Sequence, residues 1–332
     1  MKKRVLSGIT PSGRGLHIGN YFGAVKPQVE LQDKYEAYYF IADLHALTTV
    51  KDGEVLRNNI REVVLDYLAL GLDPEKCVFF RQSQVAEHAQ LAVILANYVG
   101  YGQMKRMHAF KDKLQKGAKV DSINMGLFNY PILMAADILL YKPYGVPVGE
   151  DQKQHVELTR DIAESFNKTY GVEVFPLPEP LIGKKVGRIV GTDGERKMSK
   201  SLGNTIGIFE DYEVIEKQIM SCFTDPNRIR ATDPGRVEGN PVFIYHDLIN
   251  KDREEVEDLK RRYREGKVGD VEVKKRLIEA HKRRFAEARK RREELASNYE
   301  IVEEILAEGA RKAEQVARET LEEVYRVVGV GM

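Results

Sequence analysis

The chain has 332 residues, of which 42% are hydrophobic and 31% are charged, so it has enough apolar material for a folded core and enough charge for a hydrated surface. Lys plus Arg (52) nearly balance Asp plus Glu (51), and the formal net charge is +1, which excludes a uniformly basic surface but not a local basic patch. Cys77 and Cys222 are far apart and have no second ligand at metal-binding spacing. This pattern excludes a disulfide framework and argues against a cysteine-held zinc or iron–sulfur site.

The N-terminus shows no pattern of export or membrane insertion. Three basic residues follow Met1, and the next apolar run is broken by Gly8 and Pro11, so it is too short for a signal peptide. No stretch approaches the roughly 18 consecutive apolar residues of a membrane span. We expect a cytoplasmic protein with no membrane partner.

The first third of the chain alternates between apolar runs and helical periodicity. The runs predict strands at 4–9, 36–47 and 77–83, and the periodic segments predict helices at 17–32 and 53–70. The second run is apolar on both faces, as in a parallel sheet covered by helices. This alternation predicts an α/β fold with a doubly wound, Rossmann-like parallel sheet, a fold that binds ligands at the carboxyl ends of its strands.

The later part of the chain is mostly helical. Helical periodicity extends over 85–170, whereas 171–205 is rich in Pro and Gly and contains only the short strand candidate RIV. In 251–300, 30 of 50 residues are charged, so helices there would have one apolar face and one solvated face. We predict two domains: a Rossmann-like domain with a helical insertion (1–206) and a mainly α-helical domain (207–332).

The segment PSGRGLHIGN (11–20) follows the first predicted strand and opens the first predicted helix. Its glycines let an anionic ligand approach the backbone, and the free N–H groups at a helix start favour phosphate. His17 and Asn20 add hydrogen-bond donors beside them. The segment therefore predicts a phosphate-binding loop, with an ordinary strand–helix turn and cap as the alternative.

The loop KMSKS (197–201) carries two lysines three positions apart. Lysines at that spacing can hold a polyphosphate as point charges, and a loop can bring them in when the ligand binds. A solvated basic turn is the alternative. The sequence contains neither a Walker A motif nor the dinucleotide GxGxxG motif, so a nucleotide would have to bind through another kind of site.

A third motif, VPVGEDQKQH (146–155), places Glu150 and Asp151 side by side after Gly149, at a predicted helix start. Carboxylate or backbone acceptors in such a turn suit the hydroxyls of a ribose. Capping by Asp151 of a helix that runs to Phe166 explains the same residues equally well.

Asp137 is the one charged residue in the apolar helix PILMAADILLY (131–141). A buried carboxylate is costly unless hydrogen-bond donors meet it. Pairing of Asp137 with a core arginine or lysine, or its position on an exposed helix face, would account for the carboxylate. The alternative is a ligand N–H group held in an apolar pocket.

The sequence HIGN (17–20) after a first strand, followed later by KMSKS, resembles the paired signature of the class I aminoacyl-tRNA synthetases. The block LMAADILLYKPYGVPVGEDQKQHVELTRDIAESFN (133–167) is similar to tryptophanyl-tRNA synthetases, and the resemblance extends over essentially the whole chain. It implies a ligase that activates L-tryptophan with ATP and then transfers it to the 3′ end of tRNA(Trp). A tyrosyl-specific synthetase and a regulatory or tRNA-binding paralogue with weak catalysis are the alternatives.

The resemblance also implies which residues bind ATP. The implied set is Thr10, Pro11, Ser12, His17, Gly19, Asn20, Gly149, Glu150, Asp151, Ile189, Val190, Lys197, Met198, Ser199, Lys200 and Ser201. Within it, residues 149–151 would lie at the ribose, and Ile189 or Val190 would cover the adenine. Lys197 and Lys200, with Lys113, would be catalytic by supplying charge to the pyrophosphate.

The tryptophan pocket is implied in the same way. Its members would be Asp137, Leu6, Gly8, His45, Tyr130, Met134, Val146, Val148 and Gln152. Asp137 would accept the indole N–H, so an amino acid without that donor would leave the carboxylate unpaired. The sequence departs from the family pattern at Thr10, Leu6 and Asn20, where glutamine, an aromatic residue and a second histidine are common.

The resemblance implies ATP with Mg²⁺ as cofactors, no protein cage for the metal and no iron–sulfur cluster. It also implies a homodimer that binds tRNA(Trp), with the helical domain (207–332) at the anticodon. The runs KRR (282–284) and RKRR (289–292) are candidate contacts to tRNA phosphates. A helix face salt-bridged to neighbouring glutamates is the alternative for both runs.

Overall fold

The computed structural model describes residues 2–331 except 12, 14, 116, 118, 182–188, 226, 227, 229 and 231, and the side chains at 109 and 151 also lie outside this description. The strands are β1 (Arg4–Ile9), β2 (Glu36–Ile41), β3 (Cys77–Arg81), β4 (Gly145–Pro147) and β5 (Glu179–Leu181). The helices are α1 (Ile18–Asn20), α2 (Lys26–Leu31), α3 (Asp43–Ala46), α4 (Gly53–Ala69), α5 (Glu87–Leu95), α6 (Tyr101–Met104), α7 (His108–Gln115), α8 (Met125–Leu140), α9 (Lys153–Tyr170), α10 (Tyr212–Met220), α11 (Pro241–Ile249), α12 (Arg253–Arg264), α13 (Asp270–Ser297) and α14 (Tyr299–Val328).

The five strands form one parallel sheet in the order β3-β2-β1-β4-β5. β1 pairs with β2 from Arg4 opposite Glu36 to Ile9 opposite Ile41, and β4 lies on the other side of β1. The strand order reverses between β1 and β4, so the carboxyl ends of these two strands open a crevice suited to a ligand. The predicted Rossmann-like α/β fold is confirmed.

Both faces of the sheet are buried, as the apolar second strand predicts. On β2, Ala37, Tyr39 and Ile41 belong to one apolar core, and Tyr38 and Phe40 belong to the other. The first core continues into α4, α10 to α13 and the start of α14, whereas the second continues into α5, α8, α9 and the rest of α14. In the part of the chain that the structure describes, we find no helix with the length and apolar character needed to cross a membrane.

The last helix, α14, packs against β3 at the edge of the sheet. The approach is so close that a Cβ on Gly309 would lie 1.9 Å from the Phe79 carbonyl oxygen, so only glycine fits there. Arg81 at the end of β3 pairs with Glu303 of this helix. A helix from the predicted second domain thus covers a strand of the first, and the boundary at 206/207 stays a prediction.

Two segments of the chain differ from the predicted secondary structure. The strand predicted at 36–47 ends at Ile41, and the chain turns into α3 from Asp43, whose buried carboxylate accepts the Ser83 N–H after β3 (3.0 Å). The helix predicted at 17–32 contains a π-helical turn, Tyr21–Val25, which ends two positions before Pro27. Proline has no N–H and its ring clashes with the carbonyl four residues earlier, so the chain is widened at this point.

The stretch 171–205, predicted as a loop, contains β5. This strand lies at the sheet edge, where Pro180 is tolerated because no further strand needs its missing N–H. β4, only three residues long, is another strand that the apolar pattern did not separate from its surroundings. In the strand candidate RIV, Arg188 lies outside the described residues and Val190 forms only an isolated bridge with Lys197.

Candidate active site

The loop after β1 lies at the crevice edge of the sheet. Thr10 is exposed at the end of the strand and Pro11 is buried, whereas Ser12 lies outside the described residues. Gly15 has a φ of +61°, a left-handed conformation that favours glycine. Gly15 thus provides, within the described part of the segment, a backbone conformation typical of a turn where a phosphate-binding loop is expected.

His17 caps the helical segment that follows this loop. Asn20 N–H donates to His17 Nδ1, and His17 N–H donates to Asn20 Oδ1, both at 3.2 Å. Burial, aided by the positive charges of the 197–201 loop, lowers the His17 pKa to about 4, so the ring is neutral at pH 7. A Cβ on Gly19 would lie 2.9 Å from His17 Nδ1 and 3.3 Å from Met198 Sδ. Glycine at this position lets the two signature motifs pack together.

The 197–201 loop is anchored at its base. Met198 is buried, and its N–H donates to the Ile189 carbonyl (3.0 Å). Asn204 Oδ1 accepts the Ser199 N–H (2.7 Å), and its Nδ2 donates to Asp193 (2.9 Å). These contacts fix the position of the loop.

The tip of this loop reaches across to the first loop. The Lys200 ammonium donates to the Gly15 carbonyl, while Lys197 is exposed. Burial lowers the pKa of Lys200, and Asp66 opposes this by raising it. The hydroxyls of Ser199 and Ser201 lie 3.0 Å apart. The structure thus brings the two predicted phosphate-binding loops together.

The third motif lies after β4. Gly149 has extended backbone angles and precedes a 3₁₀ turn that leads into α9. Both Gly149 and Glu150 are exposed, and the Asp151 side chain lies outside the described residues. Gln152, rather than Asp151, takes the N-cap position of α9. Of the two residues predicted at adenine, Ile189 is buried and Val190 is half-buried.

Asp137 is 1% exposed and is surrounded by three donors. His88 Nδ1 (2.6 Å) and Gln82 Nε2 (2.7 Å) contact its Oδ1, and His45 Nε2 (2.8 Å) contacts its Oδ2. Burial raises the pKa of this carboxyl, but the hydrogen bonds from His45 and His88 outweigh that effect and hold it at about 2. Asp137 is therefore ionised, and Oδ2 retains a lone pair for one more donor. The partners are two imidazoles and an amide, not the core arginine or lysine considered from the sequence.

Gln82, His88 and Tyr141 are neighbours of Asp137 that the sequence analysis does not single out. With His88 Nδ1–H directed at Asp137, its Nε2 accepts the Tyr141 hydroxyl (2.8 Å). Burial raises the pKa of Tyr141, so the hydroxyl stays a donor. A signal for Gln82 exists in its position directly after β3, and His88 is the one histidine in α5, a mostly apolar helix.

The other predicted pocket residues lie around β1, β4 and α8. Leu6 and Val146 are buried, whereas Gly8 is exposed although it lies in the central strand. A Cβ on Gly8 would lie 2.8 Å from Phe40 Cζ, so the ring leaves no room for a larger residue at this position. The remaining members are half-buried: Met134, Val148 and Gln152.

Tyr130 extends the Asp137 cluster through His45. The two rings lie 6.0 Å apart between centroids, and the Tyr130 hydroxyl lies 2.6 Å from His155 Nε2. Burial raises the pKa of Tyr130 to about 12, so its hydroxyl is protonated at neutral pH. Asp137, His45 and Tyr130 therefore form one polar group beside the apolar residues of the pocket.

Lys113 stands apart from these groups. It is exposed on α7, a helix that packs on α8 through Phe110 and Phe128. Within the described contacts, Lys113 is joined to neither phosphate-binding loop, and its role at the pyrophosphate stays a prediction.

The two basic runs are engaged within the chain. Their cations have these partners: Lys282 with Glu216, Arg283 with Glu255, Arg284 with Tyr21, Arg289 with the Ile208 carbonyl, Lys290 with Glu294, Arg291 with the Ala69 carbonyl and Arg292 with Asp66. This arrangement favours the alternative of a salt-bridged helix face. Most of these cations are committed to folding the chain rather than free for tRNA phosphates.

Two buried histidines predict a loss of stability in mild acid. Burial lowers the pKa values of His17 and His281 to about 4. An unfolded histidine titrates near 6.5, so between pH 6.5 and 4 the unfolded state binds protons that the folded state does not, and the free energy of unfolding falls as the pH falls. In His281→Gln, the amide can still donate to the Gly207 carbonyl, as the imidazole does. We expect this variant to lose about 2 kcal/mol less than the parent between pH 7 and pH 5 in urea unfolding; equal losses would contradict the assignment.

Comparison with known proteins gives the family. The model of the family described as class I tRNA synthetases (W and Y) matches residues 1–286. The chain belongs to this family of class I aminoacyl-tRNA synthetases and is a ligase.

Individual relatives show which enzymes of this family the chain is similar to. The chain is 46% identical to the tryptophan–tRNA ligase of Fusobacterium nucleatum over 328 residues, which cover 99% of this chain and 98% of that protein. It is 46% identical to the tryptophan–tRNA ligase of Rhodopirellula baltica, over 98% of this chain and 99% of that protein. The structure of tryptophanyl-tRNA synthetase from Campylobacter jejuni, complexed with ADP and tryptophan, is 43% identical and matches with a TM-score of 0.91 over 98% of this chain and 100% of that one. The resemblance to tryptophanyl-tRNA synthetases is confirmed.

Proposed function

We propose that the protein is a tryptophan–tRNA ligase, which converts L-tryptophan and ATP to tryptophanyl-adenylate and pyrophosphate and then transfers tryptophan to the 3′ end of tRNA(Trp). The observation that carries the proposal is the meeting of the 10–20 and 197–201 loops through Gly15 and Lys200, in a chain related along its whole length to ligases of that name. The Campylobacter relative holds ADP and tryptophan, and we assign the same two kinds of ligand to this crevice.

ATP would bind between the two loops. Residues 10–20 offer backbone N–H groups and the His17–Asn20 cap to the phosphates, and the 149–151 turn offers acceptors to the ribose. Ile189 and Val190 lie at the base of the 197–201 loop, where they would cover the adenine. Lys200 would keep the Gly15 carbonyl on one N–H of its ammonium and donate another to the phosphates, because an ammonium has three donors and a phosphate oxygen is a strong acceptor.

The chemistry needs no protein nucleophile. The tryptophan carboxylate attacks the α-phosphorus of ATP, the bond from this phosphorus to the bridging oxygen breaks, and pyrophosphate leaves with the added negative charge. Positioning of the two reactants and stabilisation of that charge by Lys197 and Lys200 supply the rate. A terminal ribose hydroxyl of tRNA then attacks the carbonyl carbon of the adenylate, and AMP leaves.

Asp137 would select tryptophan by accepting its indole N–H on Oδ2. His45 and the buried His88 and Gln82 hold the carboxylate ionised and fixed. Sites of this kind reject an analogue without the donor by about 10⁴-fold or more, because the buried acceptor is left unpaired. Leu6, Gly8, Met134, Val146 and Val148 would enclose the indole, with Tyr130, His45 and Gln152 near the amino acid's polar groups.

Mg²⁺ would arrive with ATP and neutralise phosphate charge. Among the described residues, no group of three or more His, Cys, Asp or Glu side chains comes together as a possible metal site.

The direct test is amino-acid-dependent exchange of pyrophosphate into ATP, measured with each of the twenty amino acids, followed by charging of tRNA(Trp). We expect exchange with tryptophan to exceed that with every other amino acid, tyrosine included. Exchange driven best by another amino acid, or none with any, would overturn the proposal.

We also propose that two copies pair through an apolar groove of about 720 Å³ formed by α3, α5 and the start of α8. Its apolar members are strongly exposed in the single chain: Leu47 (47%) and Val93 (73%) in the groove, with Met125 (65%) nearby at the start of α8. Contiguous exposed apolar surface of this kind marks an interface. His45 and Tyr130 form part of the groove wall, so pairing would shield the tryptophan pocket.

Val93→Asp should convert the dimer to a monomer, because a carboxylate would have to be desolvated in the interface. Light scattering after size exclusion measures the mass. Val271→Asp is the matched control, since Val271 is 54% exposed on α13 and outside the groove. A parent that is already monomeric, or a Val93→Asp variant that stays dimeric, would contradict this interface.

The helical region 207–332 is proposed to bind the anticodon of tRNA(Trp). Charging of tRNA(Trp) would place the protein in the cytoplasm, where its tRNA is used. Because the basic runs are engaged within the chain, the tRNA contacts would have to come from other residues of this region or from exchange of those partners.

A further inference from the structure

The peptide group between Gly15 and Leu16 is held from both sides. Its carbonyl, on Gly15, accepts the Lys200 ammonium. Its N–H, on Leu16, donates to Asp66 Oδ2 at 2.8 Å. Both partners are charged groups, so both hydrogen bonds are stronger than neutral ones. One peptide plane therefore links a buried carboxylate to the lysine that reaches over from the 197–201 loop.

Asp66 lies on α4 and is completely buried. Its Oδ1 accepts Arg292 Nε of α13 at 2.7 Å, and Arg292 Nη2 donates to Glu62 at 2.6 Å. Burial raises the pKa of Asp66 to about 6, against the lowering effect of Arg292, so the carboxylate is ionised at pH 7.5. An ionised, fully buried acid with one partner on each oxygen has a single well-defined position.

The orientation of this peptide is not fixed by the loop alone. Gly15 has a φ of +61°, and a glycine can rotate between backbone regions at little cost. Rotation would turn the carbonyl away from Lys200 and the N–H away from Asp66. The Asp66 contact is therefore the observed restraint that keeps the carbonyl directed at the lysine.

The same helix, α13, also holds the chain that follows the 197–201 loop. His281 Nε2 donates to the Gly207 carbonyl at 2.9 Å, and Arg289 donates to the Ile208 carbonyl at 2.7 Å. Helix α13 is thus linked to the first loop through the Arg292–Asp66 pair. It contacts the segment after the second loop directly through His281 and Arg289.

We infer that Asp66 is a positioning residue for adenylate formation: it fixes the Gly15–Leu16 peptide so that its carbonyl holds Lys200 at the phosphate-binding loop, and Arg292 ties this arrangement to α13. The inference rests on the proposed function. Asp66 itself touches no substrate in this account, and it acts through Lys200.

The test is a double-mutant cycle of Asp66→Asn and Lys200→Ala, read by tryptophan-dependent pyrophosphate exchange. Glu62→Gln is the matched control, since Glu62 also pairs with Arg292 but does not contact the loop. We expect Asp66→Asn to lower kcat about tenfold in the parent and less than about twofold further when Lys200 is already alanine. Glu62→Gln should stay within about threefold of the parent. The chain contains no tryptophan, so fluorescence of bound substrate reports tryptophan affinity, which should change by less than about twofold.

Effects of Asp66→Asn that multiply with those of Lys200→Ala, or a parallel loss of tryptophan affinity, would overturn the inference and leave a purely structural role. If Asp66→Asn does not fold, Arg292→Lys takes its place in the cycle, because it loses the fork geometry but keeps the charge.

The parent's own exchange rate tests the proposed function separately.

Discussion

Asp137→Asn should lower kcat/KM for tryptophan by about a hundredfold or more while leaving the KM for ATP within about threefold. The carboxylate receives hydrogen bonds from His45, Gln82 and His88. An amide has one acceptor atom where the carboxylate has two, so one end of the substituted side chain would present N–H groups. If the amide oxygen keeps Gln82 and His88, its nitrogen faces His45 and the proposed indole N–H, and a donor meets a donor.

The measurement is pyrophosphate exchange over a range of tryptophan and ATP concentrations. Asp43→Asn is a matched control, because Asp43 is a second buried carboxylate near the site whose described partners, Leu44 and Ser83, are not pocket residues. If Asp137→Asn activates tryptophan like the parent, the specificity assignment is wrong. If both variants lose activity with ATP and tryptophan alike, the loss reflects folding.

Lys200→Ala should slow adenylate formation by about 10² to 10³ while tryptophan affinity stays within about twofold. The lysine joins the two loops in the structure, and a further N–H of its ammonium is proposed to stabilise the charge of the departing pyrophosphate. Removal of one such charge from a preorganised site raises the barrier without altering the ground-state binding of an amino acid that it does not touch.

Single-turnover formation of adenylate gives the rate, and fluorescence of bound tryptophan gives the affinity. Lys200→Arg is the control, since it keeps the charge with a different shape, and it should recover part of the rate. A Lys200→Ala variant that loses affinity as strongly as rate would show that the lysine supports the fold of the pocket instead.

Local signals in the sequence account for the central part of the fold. β1, β2 and β3 are apolar runs with turn residues or a helical period around them, and the structure confirms them as neighbours in a parallel sheet. β4 and β5 have three residues each, and β5 contains Pro180, so neither has a pattern long enough to distinguish it from a loop. Their pairing depends on contacts with β1 and with each other, which no local pattern records.

The candidate site was likewise predicted where its residues are contiguous in the sequence and missed where they are far apart. The 10–20 and 197–201 loops and Asp137 were predicted because each motif is contiguous in the chain. The partners of Asp137 come from 49 to 92 positions away, and the Asp66–Arg292 pair spans 226 positions. Such pairs arise only when helices pack, because a single sequence shows no spacing between them. The basic run 289–292 was a candidate for tRNA contact for the same reason: its charges are visible in the sequence and its buried partners are not.

The most direct test of the central assignment compares tryptophan with its benzothiophene analogue, in which sulfur replaces the indole N–H and the shape is nearly the same. If Asp137 accepts that N–H, kcat/KM in pyrophosphate exchange should be lower for the analogue by about 10⁴-fold or more, and the difference should shrink in Asp137→Asn. Equal activation of the two amino acids by the parent enzyme would contradict the account.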